Sequence, residues 1–249
     1  MSNYEQNNTM VVCILAVLIG GAAIVGVLSF WGGTWELGNE ITQLSYDENI
    51  GSTTGTINLD VEISVGNVDV NFADNSTLLY DVTFDVTERN LEEYGTPSVM
   101  YTSNEISINY EVASVNITLG RNLNYTLSIT IGTGEIEVSM NEYANVGDVT
   151  LTTTTGGIEL TMSDETSLMN SPTFDFNTGT GEISIQIDIL TGVGGSFEGS
   201  TNTGTIDVTA VGWTEVTSTH YETSDYDTAS QNLTIVAQTN VGSITALLG

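Results

Sequence analysis

The sequence predicts an all-β fold: a β-solenoid, β-helix-like, of glycine-led repeats behind one N-terminal transmembrane helix. Three observations carry this expectation. A glycine, a polar residue and an apolar–polar–apolar triplet recur along the chain, as in Gly204-Thr205-Ile206-Asp207-Val208. Longer segments such as LNYTLSITI alternate apolar and polar residues with period two. Near the N-terminus, Met10–Phe30 reads MVVCILAVLIGGAAIVGVLSF, 21 residues without a charge.

The apolar run comes first along the chain. A bilayer span takes about 20 apolar residues, and tryptophan favours the membrane interface. Trp31 follows the run directly and Trp35 lies four residues further on. A cleaved signal peptide is the competing reading, but its leading region should be basic, and residues 1–9 carry only Glu5 as a charge. A retained single-span anchor is the expectation. Neither flank carries Lys or Arg, so the positive-inside rule gives no orientation. Four N-x-[ST] acceptor triplets, at Asn75, Asn116, Asn124 and Asn232, favour an extracellular domain as glycosylation candidates. The organisation read this way is a polar tail at 1–9, the anchor with its Trp flank at 10–36, a linker at 37–50, a first β region at 51–130 and a repeat β-solenoid at 131–249.

The repeats define the rest. Copies of the glycine-led motif begin at Gly55, Gly66, Gly134, Gly147, Gly156, Gly181, Gly204 and Gly242. The second and fourth residues after each glycine are apolar, the strand rule in which one face is buried and the other wet. Glycine at each entry permits positive φ and a sharp turn. Longer strands follow the same grammar at Leu78–Val86, Ile106–Val112, Leu123–Ile131 and Ile183–Ile189. One short helical turn is expected near Glu88–Tyr94, and the two prolines, Pro97 and Pro172, fall in Ser/Thr-rich connectors. From Gly134 onward, successive motifs start 9 to 25 residues apart up to Gly204. A short strand cannot bury its apolar face alone, whereas stacked copies can, so a stack with variable loops is expected. Ile136, Val138, Ile158, Leu160, Ile183, Ile185, Ile206 and Val208 should face one core.

LNYTLSITIGTGEIEVSM, followed by VGDVTLTTTTGGIEL, resembles the adhesin-like repeats of the DUF4097 type and the toast-rack domains of bacterial envelope-stress proteins. The resemblance covers Leu123–Gly249 best and Gly51–Val86 more loosely. It implies a β-solenoid, often tethered to a membrane, and it brings no catalytic residues.

Charge excludes several functions. The 249 residues include 32 acidic and only two basic ones, Arg89 and Arg121, for a formal net charge of −30. Phosphate neutralisation needs Lys and Arg, so no nucleic-acid partner is expected. Cys13 is the one cysteine, which excludes an intrachain disulfide and cysteine-based zinc sites. Without lysine there is no P-loop, and no GxSxG elbow occurs. His220 is the only histidine, in HYETSDYD. Glu222, Asp225 and Asp227 beside it are calcium candidates because hard cations take carboxylates, although the EF-hand and GGxGxD patterns are absent. A polar insertion explains the segment as well. Carboxylate pairs such as Glu135 with Glu137, or Asp148 with Glu159, could cleave a polysaccharide, but a solvated acidic face explains them more simply. Gly192-Val193-Gly194-Gly195 reads as a loop. The expectation is therefore a cell-surface structural or interaction protein, not an enzyme, with itself or other envelope proteins as partners. The alternative is the ectodomain of an envelope-stress sensing complex acting through a membrane partner.

Overall fold

The computed structural model describes residues 40–249. The chain enters through β1 (Ile41–Asn49) and then repeats one move seven times. A strand in one sheet turns a corner and continues as a strand in a second sheet. The pairs are β2 (Thr56–Val65) with β3 (Val68–Ala73), β6 (Glu105–Val112) with β7 (Ser114–Gly120), and β8 (Asn124–Thr133) with β9 (Ile136–Met140). They continue as β10 (Asn145–Thr155) with β11 (Ile158–Met162), β13 (Thr173–Thr180) with β14 (Ile183–Ile187), β15 (Gly194–Thr203) with β16 (Ile206–Ala210), and β19 (Asn232–Val241) with β20 (Ile244–Leu248). The other strands are β4 (Leu78–Thr87), β5 (Val99–Thr102), β12 (Ser167–Leu168), β17 (Trp213–Thr217) and β18 (His220–Thr223). Helix α1 (Glu88–Tyr94) is the expected short turn, capped by Thr87, whose Oγ1 accepts from the Asn90 amide.

Both sheets carry the pairs in the same spatial order and in parallel. In the first the order is β15, β19, β13, β10, β8, β2, β6, and in the second β16, β20, β14, β11, β9, β3, β7. This is not chain order. The last pair inserts beneath β15 and β16, and the first inserts between β8/β9 and β6/β7. Neither sheet closes into a barrel. Their inward residues form one core, including Ile136, Val138, Ile158, Leu160, Ile183 and Ile185, each no more than 2% exposed. Burying one such side chain contributes about 1.5–3 kcal/mol. Tyr125 is also fully buried, and its hydroxyl donates to the Leu79 carbonyl at 3.0 Å.

The corner explains the glycines. Gly204, Gly242, Gly181, Gly156, Gly134 and Gly66 lie in one row, all with φ between +141° and +154°. A Cβ on any of them would come within 1.6–1.8 Å of the carbonyl oxygen of its neighbour in the row. Ala113 ends the row, with its carbonyl oxygen against Gly66. Hydrogen bonds continue around the bend. Gly134 N donates to Thr155 O at 3.0 Å, Gly156 N to Thr180 O at 2.8 Å and Gly181 N to Val241 O at 2.9 Å. Beyond the bend, Ile136, Ile158, Ile183 and Ile244 donate to Gly157, Glu182, Ser243 and Thr205. The two sheets thus share one unbroken backbone ladder.

Several expectations are corrected. Residues 41–49, read as linker, form β1, which pairs with β4 and turns Leu44 and Tyr46 inward. No boundary falls at 130/131, because β8 runs through it. Gly147 is no corner but lies inside β10, where the register against β8 shifts. Gly55 opens β2 at φ +95° outside the corner row. Gly194 and Gly195, read as loop, begin β15. A Cβ at Gly194 would meet Asn232 Oδ1, and one at Gly195 would meet the Trp213 ring at 2.3 Å, so both positions need glycine for close packing. Ile206 and Val208 pack on the core only partly buried, because β16 is an edge strand. The anchor at Met10–Phe30 lies outside the described residues, among which no helix is long and apolar enough to cross a membrane.

Candidate functional surface

The lone histidine sits where the first sheet ends. β18 runs antiparallel to β15, which places Glu222 opposite Ser196 and His220 opposite Glu198. Ser196 Oγ lies 3.3 Å from His220 Nε2, and Glu222 Oε1 lies 3.0 Å from the same nitrogen. A nucleophilic relay needs the serine on one ring nitrogen and the carboxylate on the other. Here both share Nε2, so the carboxylate cannot orient the ring for proton abstraction from serine. The cluster acts as a polar clamp that holds the β17–β18 hairpin over the end of the sheet. Trp213 completes the closure with its ring on Gly195, and its buried Nε1 has no partner among the described residues.

The calcium candidates are not brought together. Glu222 turns to His220, while Asp225 offers its main-chain oxygen to the amides of Thr228 and Ala229. Among the described residues, no group of three or more His, Cys, Asp or Glu side chains is placed to hold a metal ion.

The acidic repeat residues divide between the two outer faces. On the second sheet, Asp69, Glu137 and Glu159 stand side by side on β3, β9 and β11, and the row continues through Ser184 and Thr245 to Asp207. Burial raises the Asp69 carboxyl above its ordinary value, and the charge and hydrogen bond of Glu137 add to the rise. Glu135, at the corner before β9, is raised first by burial and then by the charges of Glu159 and Asp69. These carboxylates stand on an open outer face of the second sheet, where no catalytic cleft forms among the described residues. Asp148 is on the other sheet, where its Oδ1 accepts from the Thr173 amide at 2.9 Å. It therefore cannot act with Glu159 across the core. Glu182, at the corner before β14, lies within reach of Thr245 Oγ1 at 3.5 Å.

Two shallow depressions interrupt the first sheet and its margin. One of about 520 Å³ is lined by Asn58, Asp60, Glu105, Thr126, Asp148 and Thr150, and it opens where the register of β10 shifts against β8. The other, about 280 Å³, lies among Thr53, Thr54, Gly55, Ser76, Asn122 and Asn124. The four acceptor asparagines differ in access. Asn75 and Asn116 are exposed, Asn75 in a turn where its Oδ1 takes bonds from the Thr77 and Leu78 amides. Asn124 is half-buried and accepts from Asn145, and Asn232 Oδ1 is buried against Gly194. The periodicity gave no signal for the Ser196–His220–Glu222 clamp, because its members come from two antiparallel strands and a glycine-rich run.

No family model matches the sequence, and no curated protein matches it. Solved structures do match. A protein from Clostridium sporogenes, provisionally named a cell adhesion protein, superposes with a TM-score of 0.67 at 15% identity, over 84% of this chain and 100% of that one. That likeness shows a shared fold. Provisionally named adhesins from Bacteroides fragilis and Parabacteroides distasonis also match, at 9% and 12% identity over 84% and 85% of this chain and 97% and 98% of theirs, with TM-scores of 0.31 and 0.26.

Proposed function

We propose that this chain is a membrane-anchored, cell-surface interaction protein, adhesin-like in role and not an enzyme. Its β domain is a solenoid-like stack that projects outward as a rigid platform. The observation that carries the reading is the corner row. Six stacked glycines and an unbroken hydrogen-bond ladder fasten two sheets into one stiff body, while the outer faces present acids, hydroxyls and amides with no metal-holding cluster among the described residues. The single histidine is spent on a structural clamp. The fold shared with the Clostridium sporogenes structure, whose name assigns it to cell adhesion, supports the same role. Met10–Phe30 supplies the tether, and Asn75 and Asn116 are the accessible glycan acceptors. Protease added to intact cells should remove the β domain and leave an N-terminal peptide, beginning before Val11, in the membrane fraction. Full protection of the domain in intact cells, with digestion only after lysis, would place it inside and end this reading.

A further inference from the structure

The ends of the stack are finished differently. Beyond β6 and β7, antiparallel strands cover both sheets: β5 on the first, and β4 followed by β1 on the second. Beyond β15, the first sheet is closed by β18 and β17. The second sheet simply stops at β16, whose sole partner among the described residues is β20. Solvent reaches the consequence. Ile206 and Val208 are half-buried, whereas Ile244 and Ala246, beside them on β20, are 0% and 1% exposed. Val211, directly after this strand, is 70% exposed.

Bare edges are usually blunted by bulges, lysine, proline or extreme shortness. The outer edges β1 and β17 each carry a register shift, and β5 has four residues. β16 runs in unbroken register from Ile206 to Ala210 without proline or lysine. Its backbone is also poised. Gly242 N and Ile244 N donate to Thr203 O and Thr205 O. Parallel pairing alternates sides, so Gly204, Ile206 and Val208 direct their N–H and C=O groups away from β20, where the described residues offer no partner.

We infer that the open edge of β16 takes up an extended strand from a partner protein, added in parallel, with glycine at the corner and a basic residue beside Asp207. The ladder specifies the corner. Each corner residue places its Cβ position against the carbonyl oxygen of the residue before it in the row, and Gly204 would present that oxygen to the next strand. Any side chain there collides with backbone. Apolar residues two and four positions later would cover Ile206 and Val208, as Ile244 and Ala246 do from the other side. Charge complementarity specifies the residue between them, which stands next to Asp207 on a chain of net charge −30. A second copy of this chain is disfavoured on the same ground, and its own corner row ends either beneath β4 and β5 or at another Gly204. Strand addition of this kind draws affinity from the main chain and specificity from alternate side chains. The inference does not depend on where the protein is displayed.

The test uses the full-length protein and a synthetic peptide, Thr-Gly-Thr-Ile-Lys-Val-Thr-Ala, followed by fluorescence anisotropy. Saturable binding is expected, weakened at least about tenfold when the peptide glycine becomes alanine or its lysine becomes glutamate. Val208→Pro removes an outward N–H at an edge position where proline is tolerated, and should abolish binding. Asp207→Lys should invert the preference, so that the glutamate peptide binds better, which keeps the test decisive if the proline variant misfolds. No binding, binding indifferent to the corner residue, or self-association through this edge in place of peptide uptake would each overturn the proposal.

Discussion

Replacing Gly156 by alanine perturbs the middle of the corner row, and the contacts there set its cost. The new Cβ would lie 1.7 Å from Gly134 O and 2.7 Å from Gly134 C, so backbone must move. Rotamer changes cannot relieve a clash between two backbone-fixed atoms. Separation disturbs the bonds from Gly134 N to Thr155 O and from Gly156 N to Thr180 O. Leaving one such buried group unsatisfied costs about 1–3 kcal/mol. Holding alanine at φ +141° adds about 1–3 kcal/mol of strain. The two terms together come to about 2–6 kcal/mol, and the loss of packing that follows displacement adds to them, which places the variant among the named structural faults. Gly212→Ala is the internal control. Its φ is +84°, but a Cβ there meets nothing within 4 Å, so only the conformational cost of about 1–2 kcal/mol applies. Chemical denaturation of both variants measures the difference. If Gly156→Ala falls within about 1 kcal/mol of Gly212→Ala, the close-stacking account of the corner is wrong.

Further outcomes follow from burial and charge. Ile183→Asp should prevent folding, since Ile183 is fully buried and an unpaired charge there costs several kcal/mol, whereas Ile206→Asp on the half-open edge should leave a cooperative melt. Asp69 and Glu135 have raised folded-state values, so their contribution to stability is fully present below the ordinary carboxylate range and is lost as pH rises through the raised values. Melting midpoints should therefore fall across that window, and the double variant Asp69→Asn, Glu135→Gln should flatten the fall. A profile unchanged by the double variant would show that these groups do not carry it. Sodium should raise the midpoint by screening the Asp69–Glu137–Glu159 row, and calcium at equal ionic strength should raise it further by bridging carboxylates. A midpoint indifferent to both would leave the acidity with solubility alone.

The glycine-led triplet made much of this architecture legible, because two physical demands coincide at the corner. Positive φ and the absence of a Cβ both select glycine, and period-two alternation then sets the inward face. Six of the eight motif copies are corners. Gly147 imitates one because a register shift inside β10 also accommodates glycine before an alternating run. Strand order was not legible. Ile158, Ile183, Ile244 and Ile206 open interchangeable triplets, and nothing local tells β20 to pair between β14 and β16. β1 was hidden because ITQLSYDEN buries only one side against β4, and β15 because GGSFEGSTNT replaces apolar residues with glycines that receive Trp213 and Asn232. The outer faces gave residue types but no site. Solvated acids on a regular sheet look alike in sequence whether or not something binds them, and the Ser196–His220–Glu222 clamp arises only when β18 folds back on β15.

One continuous corner ladder runs through both sheets and ends at the open edge of β16. Amide hydrogen exchange resolved by residue tests it most directly. The amides of Gly66, Gly134, Gly156, Gly181 and Gly242 each donate to the neighbouring strand, and should exchange together, near the rate of global unfolding. Those of Gly204 and Ile206, which belong to the same repeat but have no strand beyond them among the described residues, should exchange orders of magnitude faster. Uniform protection that includes Gly204 and Ile206, or rapid exchange at Gly134 and Gly156, would contradict the account.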